Sequence, residues 1–176
     1  MTRYAALVRN VMLGRQGIDR DGLLRTAADA GARDVRSHLA TGNLTVTFDG
    51  PPDDLAALLE RGVEAMLGRP EPVMVRTREQ LAELLATDPY AGLDPQEWEM
   101  EVSFLRHDAP CLDPARVPES HRTRVLLVRE RELVTARPPE GTGRPHVNRL
   151  LERATRLPAS ARGWRTLHRL ASALDC

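Results

Sequence analysis

The stretch VRSHLATGNLTVTFDGPPDDLAALLERGVEAML, residues 35–67, contains two alternating segments followed by an amphipathic one. Apolar and polar side chains alternate through residues 35–39 and 44–48, which predicts two β-strands joined by a short turn. In residues 53–67, leucine and valine recur every three or four positions, which predicts an α-helix that ends at Gly68. The centre of the first half is therefore predicted to be β-β-α.

Further strand and helix patterns lie on both sides of this stretch. Tyr4–Arg9 is a short apolar run that predicts a strand, and Asp19 or Asp21 can cap a helix that follows it. Val73–Arg76 predicts a fourth strand. The order β-α-β-β-α-β predicts an α+β fold in which residues 1–76 form a ferredoxin-like subdomain, with two helices on one face of an antiparallel sheet.

The second half repeats this organisation less regularly. We predict a second, related α+β subdomain over residues 77–176 that ends in two helices. Its predicted elements are a helix capped by Thr77 and Gln80, a strand at Met100–Phe104, a hairpin of Arg122–Val128 with Leu133–Ala136, a helix opened by Pro145 and a last helix carrying Trp164.

All 25 basic residues are arginine, because the sequence contains no lysine. This composition excludes mechanisms that need a lysine side chain, such as Schiff-base catalysis and the phosphate-binding lysine of P-loop proteins. The 25 acidic residues balance the arginines, although residues 49–101 are acidic and lie between two basic ends. Bulk charge therefore requires neither a nucleic acid nor a membrane surface as partner.

Three negative observations restrict location and partners. The first residues, MTRYAALVRN, lack the apolar run of a signal peptide, and no stretch reaches the roughly 20 apolar residues of a membrane span. Cys111, Cys176 and the histidines show no metal-binding spacing, so we predict neither a metal nor a cofactor. Only Tyr4 and Phe48 are aromatic in the first and third strands, which argues against RNA binding. We predict a cytoplasmic protein without a membrane or nucleic-acid partner.

Six stretches are distinctive in combination, namely ALVRN at 6–10, VRSHLATGNLTV at 35–46, DPY at 88–90, VSFL at 102–105, PPEGTGR at 138–144 and ARGWRTLHRLA at 161–171. Together they resemble the bacterial family catalogued as domain of unknown function 1697. The resemblance runs from about Tyr4 to Leu174 and implies two related α+β subdomains without an established activity. The last stretch departs from the family pattern at Gly163 and Arg165, where the family commonly has asparagine.

The predicted topology brings a set of polar residues to one corner of the first sheet. The end of the first strand lies beside the start of the third in this topology, so Arg9 and Asn10 are expected to meet Gly42 and Asn43. The neighbouring helix start and Arg15 complete a corner that suits a phosphate or carboxylate. The alternative is that the Gly-Asn pair only forms a tight turn and that the arginine makes a surface ion pair.

Three residues near the C-terminus are further candidates for ligand binding. Arg144 and Arg162 belong to an arginine-rich segment, residues 144–169, that contains a single acidic residue. His146 follows a glycine-containing loop and is expected near a predicted helix start, where the neutral imidazole is favoured. Alternatively, the arginines of this segment cover solvated helix faces or pair with the acidic middle of the chain.

These observations leave three classes of function open. The leading hypothesis is a protein that binds a small anionic ligand, such as a phosphate, nucleotide or carboxylate, at the edge of the first subdomain. The second is a phosphoester or acyl-phosphate hydrolase, because the placement of Arg9 and Asn43 is similar to that in acylphosphatases, which share the predicted order of elements. The third is a non-catalytic interaction module, with a homodimer as one form of it.

Overall fold

The computed structural model describes residues 1–15, 17–108, 123–139 and 147–175. Its internal contacts divide the chain into two units, one of Met1–Leu85 with His168–Cys176 and one of Ala86–Leu167. The α+β fold class is confirmed, because each unit contains a four-stranded antiparallel sheet together with helices. The predicted domain boundary after residue 76 stays a prediction.

The first unit has the predicted order of elements. These are β1 (Thr2–Val8), α1 (Arg20–Asp29), β2 (Arg33–His38), β3 (Asn43–Phe48), α2 (Pro52–Leu67) and β4 (Val73–Thr77), followed by α3 (Arg78–Ala86). The sheet order is β2-β3-β1-β4, and every neighbouring pair is antiparallel. The β-α-β-β-α-β order predicted from the sequence is therefore confirmed.

Side-chain and glycine caps determine where the helices begin and end. Asp19 caps α1 by accepting a hydrogen bond from the backbone N–H of Gly22 at 2.6 Å. Gly68 ends α2 with a left-handed backbone at φ 68°, which glycine adopts without steric cost. Thr77 and Gln80 form the predicted capping box before α3, with hydrogen bonds of 2.9 and 3.1 Å.

The two faces of the first sheet differ in character. The face toward α1 and α2 carries the apolar core, to which β1 contributes Tyr4, Ala6 and Val8. The opposite face is polar, because cross-strand partners share a face and the register pairs Arg3 with Thr47 and Arg36 with Thr45. Polar side chains of this sheet therefore lie on the face away from α1 and α2.

The second unit repeats the sheet of the first. Its elements are β5 (Glu99–Leu105), β6 (Arg124–Val128), β7 (Glu132–Arg137), α4 (Val147–Thr155), β8 (Ala159–Gly163) and the start of α5 (Trp164–Asp175). The strand order β6-β7-β5-β8 is that of the first unit, so the predicted relation between the two is confirmed. The predicted opening of α4 by Pro145 lies outside the described residues.

β8 is an element that the sequence does not predict. Its five residues, ASARG, include no β-branched or aromatic side chain, so the usual strand signal is absent. Pairing with β5 makes it a strand, and its register places Arg162 opposite Val102. No α-helix in the described parts of the chain combines the length and the hydropathy needed to span a bilayer.

Candidate functional site

The structure brings the segments of the predicted corner close together. The backbone N–H of Val8 donates to the carbonyl of Gly42 at 2.8 Å, and Leu7 pairs with Asn43 in the β1–β3 register. The N–H of Leu13 donates to the carbonyl of Ala40 at 2.7 Å. The loop that follows β1 therefore lies beside the turn between β2 and β3, as the topology argument requires.

Gly42 and Asn43 build this turn. Asn43 is fully buried, and its side-chain amide donates to the carbonyl of His38 and to the hydroxyl of Thr41 at 3.1 and 2.9 Å. Gly42 has φ 67°, and a Cβ atom there would lie only 3.0 Å from the Cβ of Val8. These contacts agree with the alternative interpretation, in which Gly42 and Asn43 only form a tight turn.

Arg9 contacts a buried carboxylate at the same end of the sheet. Its Nη1 lies 3.2 Å from Oε2 of Glu71, which is only 2% exposed, and Arg69 pairs with the other oxygen of that carboxylate. Both Arg69 and Glu71 were missed from the sequence. Applying the strand-end argument to β4 as well would have found them, because β4 begins beside the end of β1.

Carboxylates already occupy the helix end in this corner. Asp19 caps the first turn of α1, and Asp21 lies within that turn, so the positive end of the helix dipole faces the chain's own anions. Asn10 and Arg15 are exposed, and Asn10 has a left-handed backbone at φ 51°. The corner thus keeps exposed polar side chains but offers no uncapped helix end.

The three C-terminal candidates divide into two groups. Arg144 and His146 lie outside the described residues. Arg162 lies in the second unit and is buried, with its Nη1 donating to the hydroxyl of Ser160 at 2.7 Å and to the carbonyl of Ala161 at 2.8 Å. Burial lowers the pKa of Arg162 to about 10, since a charged group loses hydration inside the protein.

A basic cavity lies on the polar face of the first sheet, with a volume of about 150 Å³. Its polar lining consists of Arg3 from β1, Asp34 and Arg36 from β2, and Thr45 and Thr47 from β3. Alternation and cross-strand pairing place Arg3, Arg36 and the two threonines on one face, whereas Asp34 lies in the register shift between Arg33 and Arg36. Ala173 and Leu174 of α5 complete the wall.

Most polar groups of the basic cavity are held by neighbours. Arg3 donates to the carbonyl of Leu174 at 2.7 Å, and the hydroxyl of Thr47 donates to the carboxylate of Asp34 at 3.0 Å. Arg36 is exposed, and its guanidinium makes no hydrogen bond or ion pair with any described residue. Two guanidiniums thus face one carboxylate, and the local charge favours an anion.

The pKa of His38 reflects the positive charges near the basic cavity. Its Nε2 lies 2.8 Å from the hydroxyl of Thr45, a side chain that also lines the basic cavity. Burial lowers the pKa of His38, and the positive charges of Arg169, Arg36 and Arg20 lower it further. The imidazole therefore favours its neutral form in the folded protein.

The sequence prediction missed the basic cavity for a specific reason. It considered only strand ends, whereas the alternation in β2 and β3 already places Arg36 and the threonines on one face. The irregular register between Arg33 and Arg36, with φ 52° at Asp34, has no comparable sequence signal. Among the described residues, no group of three or more histidines, cysteines or acidic side chains is arranged to hold a metal.

Comparison with known proteins identifies a family of unknown function and a solved structure with a similar fold. The model of the family described as "Protein of unknown function (DUF1697)" matches residues 1–132. A solved structure, that of the conserved bacterial protein SP0830 from Streptococcus pneumoniae, is similar with a TM-score of 0.73 and 18% sequence identity, over 100% of this chain and 99% of that one. No curated protein matches the sequence. The structural similarity supports the fold alone.

Proposed function

Since this chain belongs to the family of unknown function DUF1697, its role must be inferred from its own geometry, and we propose that it binds a small anionic ligand. The proposed site is the basic cavity of the first unit, and the proposed ligand group is a phosphate or a carboxylate, either free or as part of a nucleotide. The proposed ligand belongs to the class expected from the sequence. The proposed site moves from the corner beside Arg9 to the polar face of the sheet.

The main support for this proposal is the guanidinium of Arg36, which is unpaired among the described residues. This guanidinium lines the cavity opposite the hydroxyl-bearing Thr45 and Thr47. A guanidinium presents several N–H donors in one plane and binds the oxygens of phosphates and carboxylates in pairs. A cavity of about 150 Å³ holds a few water molecules or one tetrahedral oxyanion.

Arg36→Gln tests this site, with Arg33→Gln as the matched control. Arg33 is exposed on the same strand and does not line the cavity. We expect phosphate to stabilise the wild-type protein by about 2.7 kcal/mol at about a hundredfold excess over its dissociation constant. Arg36→Gln should weaken binding by about 10- to 100-fold, because it removes charge-assisted hydrogen bonds, whereas Arg33→Gln should not. Thermal denaturation at fixed ionic strength measures both effects.

The same experiment separates the proposal from its competitors. Equal stabilisation of all three proteins by phosphate, or of none, would contradict the proposed site. Loss of stabilisation in Arg9→Ala and Arg15→Gln alone would instead support the corner predicted from the sequence. Measured turnover of acetyl phosphate would favour the hydrolase hypothesis; we expect none, since the side-chain amide of Asn43 already donates within its turn.

A further inference from the structure

A larger cavity lies in the second unit, with a volume of about 460 Å³. It opens where β5 begins and where β7 and β8 end, and Trp98 and Trp164 both line it. These are the only two tryptophans of the sequence. A volume of this size falls within the range of small-molecule sites in proteins. We call it the two-tryptophan cavity.

Both indole rings have fixed neighbours. The ring of Trp164 meets Tyr90 edge to face, with centroids 4.9 Å apart and an interplanar angle of 72°. The hydroxyl of Tyr90 lies 2.8 Å from the carbonyl of Glu101 and 3.0 Å from that of Thr135, which anchors the tyrosine to two strands. The guanidinium of Arg124 lies 4.2 Å from the ring centre of Trp98. Trp164 therefore packs against an anchored tyrosine, and Arg124 covers one face of Trp98, which leaves its other face for a ligand.

A row of charged groups forms the polar side of this cavity. Glu99 and Arg137 are direct cross-strand partners, and Glu101 lies two residues along the same face. The Nε of Arg137 is 2.7 Å from one carboxylate oxygen of Glu99, and its Nη2 is 3.4 Å from one of Glu101. All three side chains keep partial exposure, at 42%, 18% and 26% for Glu99, Arg137 and Glu101. The row thus presents hydrogen-bond acceptors on both sides of a donor.

We propose that the two-tryptophan cavity binds a planar, uncharged heteroaromatic ring that carries adjacent N–H and C=O groups, the chemistry of a purine base with a lactam edge. Indole faces stack on planar rings of any base. A carboxylate accepts from a ring N–H, while a guanidinium donates to the neighbouring carbonyl. The cross-strand partners Glu99 and Arg137 in the lining match both halves of such an edge.

The charges that line this cavity balance, because Arg137 and Arg165 equal Glu99 and Glu101 in number, so the net charge favours neither a cation nor an anion. A cation would meet Arg137 and Arg165, which both line the cavity, and it would also approach Arg124 above Trp98. An anion would meet the carboxylates of Glu99 and Glu101. An uncharged ring with mixed donors and acceptors avoids both repulsions. This inference concerns the second unit alone and does not depend on the anion site of the first.

Intrinsic fluorescence tests the proposal directly, because both tryptophans line the cavity. Inosine carries a lactam edge, whereas purine riboside has the same rings and sugar without it. We expect inosine to change the tryptophan emission of the full chain saturably, and purine riboside to bind at least about tenfold more weakly because it lacks the N–H and C=O groups that would pair with the carboxylate and the guanidinium. Glu99→Gln should weaken inosine binding, and its exposed neighbour Glu97→Gln is the matched control.

Circular dichroism of each variant confirms that it is folded before the titration is interpreted. Equal responses to inosine and purine riboside would overturn the assignment of the lactam edge. No saturable response to inosine would overturn the site itself. A saturable response to tetramethylammonium without one to inosine would also overturn the proposal, since it would identify a cation site.

Discussion

Arg76 and Arg162 occupy matching positions in the two units. Each is the fourth residue of a sheet-edge strand, opposite Ala5 in one sheet and Val102 in the other. Each donates Nη1 to the carbonyl of the residue before it, at 2.9 and 2.8 Å. Both are buried, at 1% and 8% exposed. An arginine-rich segment in the sequence therefore includes a core arginine that composition alone does not distinguish from surface ones.

Replacing Arg162 with alanine should lower stability rather than alter a binding surface. The change leaves the hydroxyl of Ser160 without its donor and opens a space beside Val102. We expect the free energy of unfolding to fall by about 3 kcal/mol. Arg165→Ala, at an exposed neighbour, should change it by less than about 0.5 kcal/mol. Urea denaturation measures both, and similar losses in the two variants would contradict a core role for Arg162.

His38 should make stability depend on pH in a defined direction. Its pKa is lowered on folding, so the unfolded chain binds the proton more tightly than the folded one. The contribution of the neutral His38 to the free energy of unfolding is fully present above pH 6.5, the ordinary pKa of histidine. This contribution is lost as the pH falls from there through the lowered pKa of His38 in the folded protein. His38→Gln should therefore flatten this part of the stability profile. Denaturant midpoints from neutral pH to about pH 5 measure it, and identical slopes in both proteins would contradict this assignment.

At the level of elements, periodicity and caps account for what the sequence predicts well. The Leu and Val spacing of α2, the cap at Asp19 and the stop at Gly68 act locally, so they can be read without knowing the fold. β8 has no such local signal, because its small residues form a strand only by pairing with β5. The bulge near Asp34 is equally non-local, since the register of β3 imposes it.

Gly62 provides a test of how α1 and α2 pack. A Cβ atom at this position would contact the side chain of Thr26 on α1, at Cγ2. We expect Gly62→Ala to lower stability by about 1 to 3 kcal/mol through overpacking, even though alanine favours the helix. The double variant Gly62→Ala/Thr26→Ala should recover most of this loss, because the clashing methyl group is gone. Additive effects in thermal or urea unfolding would contradict this close contact.

At the scale of the whole molecule, the two sheets share one strand order, and each unit carries its own cavity. The fold class follows from the order of elements, and the class of ligand that we propose is the one expected from polar residues near strand ends. The position of the basic cavity does not, because its wall combines strands of the first unit with Leu174 near the end of the chain. A local sequence pattern does not show that residues so far apart in the chain line the same cavity.

We propose above that Arg36 and Arg3 bind an anion in the basic cavity. The most direct measurement is a phosphate titration followed by the NMR signals of the arginine Nε–Hε groups, with Arg36 and Arg3 assigned by their loss in Arg36→Gln and Arg3→Gln. We expect these two signals to shift together and saturate, while those of Arg9 and Arg15 stay in place. Saturating shifts of the Arg9 and Arg15 signals, with Arg36 and Arg3 unchanged, would contradict it.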